Sequence, residues 1–282
     1  MFLIRLLPVA FLLSLALVFS AANSPLAATS SRAPSRALRV SGSGTALPLV
    51  QKLAEAYRLK HDDARFIFEV GTDSGGAIRG VITSTLDLAV ANRPLTVAET
   101  EEGLEYHSFA RDAIVFAIHL PNPVKSLSTV QVRDIFGGNL TNWRQLGGPA
   151  GPILVLDRDE DESARKLVLV PLLQKRPIKA RTIVLTSARD MVLSLNSTPN
   201  SLGYTSLGLL RILQPQNVRV LALDGIMPSR DSLVQGVYPW HLTFGLIHRR
   251  DLSPTGRQFI DFVLGPEGQR VLEEYGYAAV QQ

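Results

Sequence analysis

Three stretches of this chain combine hydroxyls, glycines and charge in a way that could do chemistry. The first is Ser41-Gly42-Ser43-Gly44-Thr45 and the second is Gly71-Thr72-Asp73-Ser74-Gly75-Gly76. The third begins at Arg158 and runs through Asp159-Glu160-Asp161-Glu162 to Ser163. Glycine lets a backbone turn sharply and approach a ligand closely. Hydroxyls and bare amides at a helix N-terminus favour an anion, and an arginine can pair with two of its oxygens at once. No residue set is evidently poised to break a bond. Ser43 and Ser74 lack the GxSxG elbow, and no His–Asp pairing can be inferred, so a hydrolase is weakly supported. Neither glycine loop completes GxGxxG or the lysine-bearing phosphate loop. The histidines His61, His107, His119, His241 and His248 show no HxxxH-type spacing, and with no cysteine the sequence argues against a zinc site. Asp157, Asp159 and Asp161 resemble the start of an EF-hand loop, but Glu162 and Val168 stand where it needs glycine and glutamate. The inventory therefore binds an oxyanion, with no catalytic residue, metal or cofactor expected. It points to a receptor.

These residues need elements to hold them. Leu38–Val40 reads as a short apolar strand running into the first loop, and an amphipathic helix follows at once. Pro48 suits that helix's first turn, a Ser or Thr before it is expected to cap it, and Leu49, Val50, Leu53, Ala54 and Tyr57 share one face. Arg65–Val70 alternates as a strand does, ends in the second loop and leads to a helix over Ala77–Thr83. Leu86–Val90 is the next strand, ending at Ala91-Asn92. This βαβαβ order predicts a parallel sheet with ligand at the C-terminal strand ends. Ala113–His119 is a strongly apolar strand leading out of a first lobe. Beyond it, the pattern gives a short helix and a turn carrying Trp143 within Val130–Leu146, a strand at Ile153–Leu156, and helices over Ala164–Leu173 and Arg189–Leu195. Strands follow at Ser201–Thr205 and Val218–Leu223, extended sequence at Val237–His248, and a helical core face within Thr255–Gly276.

Composition bounds the class. The chain has 282 residues, 46% of them hydrophobic and 19% charged, which describes a folded globular protein large enough for two lobes. A formal net charge of +4 without a dense Lys/Arg run argues against nucleic-acid binding. Met1–Ala28 reads as a secretory signal: Arg5 is its positive region, Val9–Phe19 its apolar core, and Ala22 or Ala28 its cleavage point. An uncleaved anchor is the alternative. Residues 29–37 read as a polar linker. Without cysteine there is neither a lipidation point nor a disulfide, which suits the periplasm of a bacterial envelope.

Taken together, these stretches resemble the periplasmic phosphate-binding proteins of ABC importers, a branch of the type II periplasmic binding proteins. SGSGTALPLVQKLAEAY is similar to the family's first phosphate loop, and GTDSGGAIRGVITSTLDLAVANRPL to its second loop and the strand after it. VRDIFGGNLTNW, with the following LGG, and FIDFVLGPEGQRVLEEYGYAAV match two further family segments in the right order. The resemblance implies an α/β fold of two lobes, each a mostly parallel sheet flanked by helices. The first lobe would take residues 38–118 and 235–282, and the second residues 119–234. It also implies a monomer that binds phosphate or a similar oxyanion and hands it to ABC importer membrane subunits. A phosphate-sensing or surface protein of the same fold is the alternative. Ser43, Gly44 and Thr45 match the first loop, Ser74 and Gly75 the second, and Arg158 the phosphate-pairing arginine. Two departures are expected to matter. The family's Ser-Gly-Thr turn is replaced by Asp161-Glu162-Ser163-Ala164, where Ser163 is expected to supply the hydroxyl and Glu162 to face solvent or accept a proton. Asn92 stands where well-known members carry aspartate and others serine.

Overall fold

The computed structural model describes residues 36–69 and 72–280. The expected leader, most of the linker, Val70 at the end of the expected second strand and Gly71 of the second loop lie outside the described residues. The first part of the fold runs β1 (Leu38–Gly42), α1 (Leu47–Arg58), β2 (Phe66–Glu69), α2 (Ser74–Ile82), β3 (Leu88–Ala91) and a short α3 (Val97–Glu101). The expected face of α1 is buried, with Leu47 added to it, and Pro48 sits in the first turn where its missing N–H costs nothing. β1 pairs in parallel with β2 on one side and β3 on the other. Gly42 allows the close approach to β3, since a Cβ there would lie 2.0 Å from the Val90 carbonyl oxygen.

The two helices cover opposite faces of this sheet. Leu49, Val50, Leu53 and Tyr57 of α1 join the main core together with Phe259, whereas Ala77, Ile78 and Val81 of α2 pack with Ala89, Ala91, Leu104 and Ile247. The chain leaves β1 towards β2 and leaves β3 towards the other side of the sheet. The crevice at their C-terminal ends is therefore a topological switch point, where open α/β sheets bind ligands.

β4 (Leu104–His119) is the spine that joins the halves. Beyond it come β5 (Ser126–Leu127), α4 (Thr129–Phe136), a short turn holding Trp143, β6 (Leu154–Arg158), a π-helical turn over Arg165–Leu169 that continues into α5 (Val170–Leu172), and β7 (Thr182–Leu185). Then follow α6 (Ala188–Ser197), β8 (Ser201–Ser206), α7 (Leu207–Leu213), β9 (Val218–Val220), β10 (Ala222–Leu223) and α8 (Arg230–Val234). The chain closes with β11 (His241–Arg249), α9 (Pro254–Leu264), α10 (Pro266–Glu274) and β12 (Ala278–Ala279). β4 pairs antiparallel with β11 over its first part, from Leu104↔Arg249 to Ala113↔His241, and with β8 over its second, from Ile114↔Ser206 to Ile118↔Leu202. β6 lies in parallel between β7 and β8. Among the described residues ten strands thus share one sheet, with a parallel three-stranded block on either side. The described residues all fall within one compact unit. The last helices return to the first part, where Phe259 and Phe262 meet Tyr57 of α1 edge-on.

Three details differ from the sequence reading. α2 begins at Ser74 because the Asp73 carboxylate caps it there. The strand expected over Val218–Leu223 is broken at Leu221, since β9 pairs with β4 while β10 pairs with β5. The residue capping α1 is Ala46, and no side chain caps it, so the capping expected of Ser or Thr does not occur. Among the described residues no helix is long and apolar enough to cross a membrane.

Candidate anion-binding site

The site is built at the C-terminal ends of β1 and β3. Ser43 N–H donates to the Val90 carbonyl at 2.9 Å, tying the first loop to the end of β3. Ala46 and Leu47 N–H both turn back onto the Ser43 carbonyl. Among the described residues, that arrangement leaves the Gly44 amide and the hydroxyls of Ser43 and Thr45 without other donor duties, although Thr45 N–H lies 3.3 Å from Ser43 Oγ. Ser43 and Thr45 are buried while Gly44 between them is exposed.

The second loop is fastened to the same place. Ser41 Oγ shares a 2.6 Å hydrogen bond with Thr72 Oγ1 and donates to the Glu69 carbonyl. Ser74 Oγ donates to Asn92 Oδ1 at 2.9 Å, and Asn92 N–H lies 3.4 Å from Ser74 Oγ. With Oδ1 so engaged, the Asn92 side-chain NH2 is a donor available to a ligand. Asp73 Oδ1 accepts the Gly76 amide at 2.6 Å, leaving the amides of Ser74 and Gly75 as the open pair at the start of α2. Two arginines stand close by: a Cβ on Gly75 would sit 3.7 Å from Arg79 Nη1 and 4.0 Å from Arg93 Nη2. Glu99 holds Arg93 through two 2.8 Å bonds, and that pairing pulls the Glu99 carboxyl down to about 2. Ser43, Gly44, Thr45, Ser74, Gly75 and Asn92 are therefore brought together.

Arg158 and Ser163 lie on the other half, at the C-terminal end of β6. Arg158 Nε donates to the Leu185 carbonyl at 2.9 Å and Nη2 to the Thr186 carbonyl at 3.3 Å, which fixes the guanidinium plane and leaves Nη1 open. Beneath it Asp157, 2% exposed, accepts from Arg158 N–H, Tyr204 O–H and Arg165 Nε. Burial and the Asp157 charge both push the Tyr204 hydroxyl well above its usual range, so it stays a donor to that carboxylate. Ser163 opens the next helix with its hydroxyl unengaged. Glu162 is partly buried, and its Oε2 accepts the Arg165 amide at 2.9 Å. A carboxylate already takes one of the donors that this helix start offers. No hydrogen bond among the described residues links this group to the one on β1 and β3. Thr72, Asp157, Arg165 and Tyr204 are the positioning residues that the sequence reading missed. The only available signal was their place beside the loops.

The sequence and the topology have counterparts among known proteins. The PBP superfamily domain matches residues 27–267. The phosphate-binding protein PstS of Borreliella burgdorferi is 24% identical over 94% of this chain and 98% of its own. PstS of Bacillus subtilis is 24% identical over 87% of this chain and 81% of its own. Among solved structures, a putative phosphate ABC transporter substrate-binding protein from Clostridium perfringens with bound phosphate superposes with a TM-score of 0.75. It is 25% identical and covers 87% of this chain and 100% of its own. An ABC-type phosphate transport receptor from Vibrio cholerae gives a TM-score of 0.64 at 24% identity, over 86% of this chain and 99% of its own. The chain belongs to the PBP superfamily, with the two-lobed α/β fold of its periplasmic phosphate-binding members.

Proposed function

We propose that this protein is an exported solute receptor that captures phosphate, or a similar tetrahedral oxyanion, and presents it to the membrane subunits of an ABC importer. The observation that carries the reading is the set of open donors around the β1/β3 crevice. These are the Gly44, Ser74 and Gly75 amides, the Ser43 and Thr45 hydroxyls, and the Asn92 NH2. Arg158 and Ser163 would close on the ligand from the second lobe, with residues 38–118 and 235–282 as one lobe and 119–234 as the other. A donor set with no nucleophile–base pair binds without turning over, so we read the protein as a receptor and not an enzyme. The names of its relatives support phosphate as the ligand.

Charge-assisted pairing to an arginine is stronger than a neutral hydrogen bond. Isothermal titration of the leaderless protein with phosphate is expected to give one site per chain, and Arg158→Ala to weaken it about thirtyfold or more, since each 1.4 kcal/mol is about tenfold. Unchanged affinity in that variant removes Arg158 from the site. A complete lack of phosphate binding by the native protein favours a second reading, a sensing or surface protein that kept the fold. Glu162, which takes a helix-start amide in place of a ligand, is the observation on that side.

A further inference from the structure

Away from the crevice, β4 and β11 bring two imidazoles and a carboxylate together on one face of their ladder. Glu105 and His248 are directly paired across the strands, and His107 follows Glu105 at the next position on the same face. The two histidine rings are stacked, with Nε2 atoms 3.0 Å apart. Glu105 Oε2 lies 3.5 Å from His248 Nε2 and 4.0 Å from His107 Nε2. Four ligands at the ~2.0–2.1 Å typical of zinc bonds to nitrogen and oxygen stand ~3.4 Å from one another at the corners of a tetrahedron. The three observed separations bracket that edge.

We propose that Glu105, His107 and His248 form a binding site for a divalent transition-metal ion of the Zn2+ class. His248 Nδ1 lies 2.7 Å from the Arg249 carbonyl, so its N–H is directed there and its Nε2 lone pair faces the cluster. That outer bond is the one metal-ligating histidines characteristically make. Two imidazoles with one carboxylate suit zinc, copper or nickel and are a poor set for magnesium or calcium, which prefer oxygen alone. Three protein donors leave at least one coordination position for water. Among the described residues, Arg250, with Nε 3.9 Å from Glu105, and Asp261 on α9 are the other charged groups near the cluster.

The site is independent of the anion-binding reading. On β11, Gly245 pairs with Ala91 at the crevice end of β3, and His248 lies three residues further along, about 10 Å away at ~3.4 Å per residue. A bound ion would clip together two strands whose histidines are 141 residues apart in the chain. The sequence pattern could not reveal this cluster, because its spacing is set by strand pairing and not by a helical turn.

The test uses untagged, chelator-treated leaderless protein titrated with ZnCl2 by calorimetry and with CoCl2 by visible absorption. One equivalent of Zn2+ is expected, with a rise in melting temperature reversed by chelator, and with Co2+ bands of a four- or five-coordinate ion. Losing a first ligand should exceed the ~10–100-fold that supporting residues cost, so His107→Ala should abolish the one-equivalent binding and Glu105→Gln should weaken it. His241→Ala should leave it intact. His248, only 3% exposed, is not needed for the test, since the partly exposed His107 and Glu105 carry it. Absence of Zn2+ binding, binding that survives His107→Ala, or equal binding of Mg2+ would each overturn the proposal. In those cases the pair is a plain imidazole–imidazole hydrogen bond.

Discussion

Asn92 is the residue whose chemistry most directly sets what the crevice admits. It is buried, and its oxygen is occupied by the Ser74 hydroxyl, so what it offers a ligand is a donor. An aspartate at this position would accept the hydrogen of a protonated phosphate and repel an anion that has none, which is discrimination through a repulsive element. The neutral donor found here should tolerate sulfate. Native protein is expected to separate phosphate from sulfate weakly, and Asn92→Asp to separate them more sharply. Paired titrations at matched pH and salt check this. Strong exclusion of sulfate by the native protein would mean that another acceptor does the work, and Asp73, whose Oδ1 would lie 3.6 Å from a Cβ on Gly75, is a carboxylate to examine. If Asn92→Asp changes neither affinity, Asn92 does not touch the ligand.

Helix starts decide how many donors the site can field. α1 has no side-chain cap, α2 is capped by Asp73, and the helix opening at Ser163 has an amide taken by Glu162. Removing Glu162 should therefore move two quantities in opposite directions. Loss of a capping group costs about 1 kcal/mol of stability. Loss of a like charge, together with release of the Arg165 amide, should tighten phosphate binding by about tenfold, since 1.4 kcal/mol is worth that factor. Glu162→Ala is thus expected to melt earlier and bind more tightly, by thermal scan and titration respectively. A variant that only melts earlier would leave Glu162 as a cap with no bearing on the ligand. Elements like these were the most legible part of the sequence. The strand–loop–helix device at Ser43 and again at Ser74 declared itself through glycine and periodicity, and the buried stripe of α1 followed from its spacing. What sequence could not give was pairing. That β4 would pair first with β11 and then with β8, or that Tyr204 would reach Asp157 from 47 residues away, depends on contacts between distant parts of the chain with no local pattern. The identity of the α1 cap was lost for a smaller reason: the turn after Thr45 closes on the Ser43 carbonyl instead of on a hydroxyl.

At the scale of the whole molecule, the junction of the two sheet halves is where pH should act. Asp112 sits on β4 where the strand leaves β11 for β8, and it is 1% exposed. The Ser206 hydroxyl donates to Oδ2, and the Gly208 amide donates to Oδ1 at 3.0 Å. Tyr277 packs over Gly208, where any Cβ would strike its ring, so water has little room to enter. Burial outweighs these two donors and the nearby Arg211 charge, and it raises the Asp112 carboxyl from 3.8 to about 7. The folded state therefore holds a proton between pH 4 and 7 that the unfolded chain has released, so this group makes stability fall as pH rises through that window and level off above it. The full effect of such a shift in a buried group is on the order of 4 kcal/mol. His107 and His241 work the other way, because burial lowers both and favours the folded state as they lose protons with rising pH. The total profile mixes these signs, but the difference between native protein and Asp112→Asn does not. Asparagine cannot ionise, so urea midpoints measured at pH 5, 6, 7 and 8 should show native protein losing stability relative to the variant up to about pH 7, with a constant gap thereafter. A gap that stays flat from pH 5 to 8 would mean that the Asp112 carboxyl titrates outside that range and that the junction does not respond to pH through it.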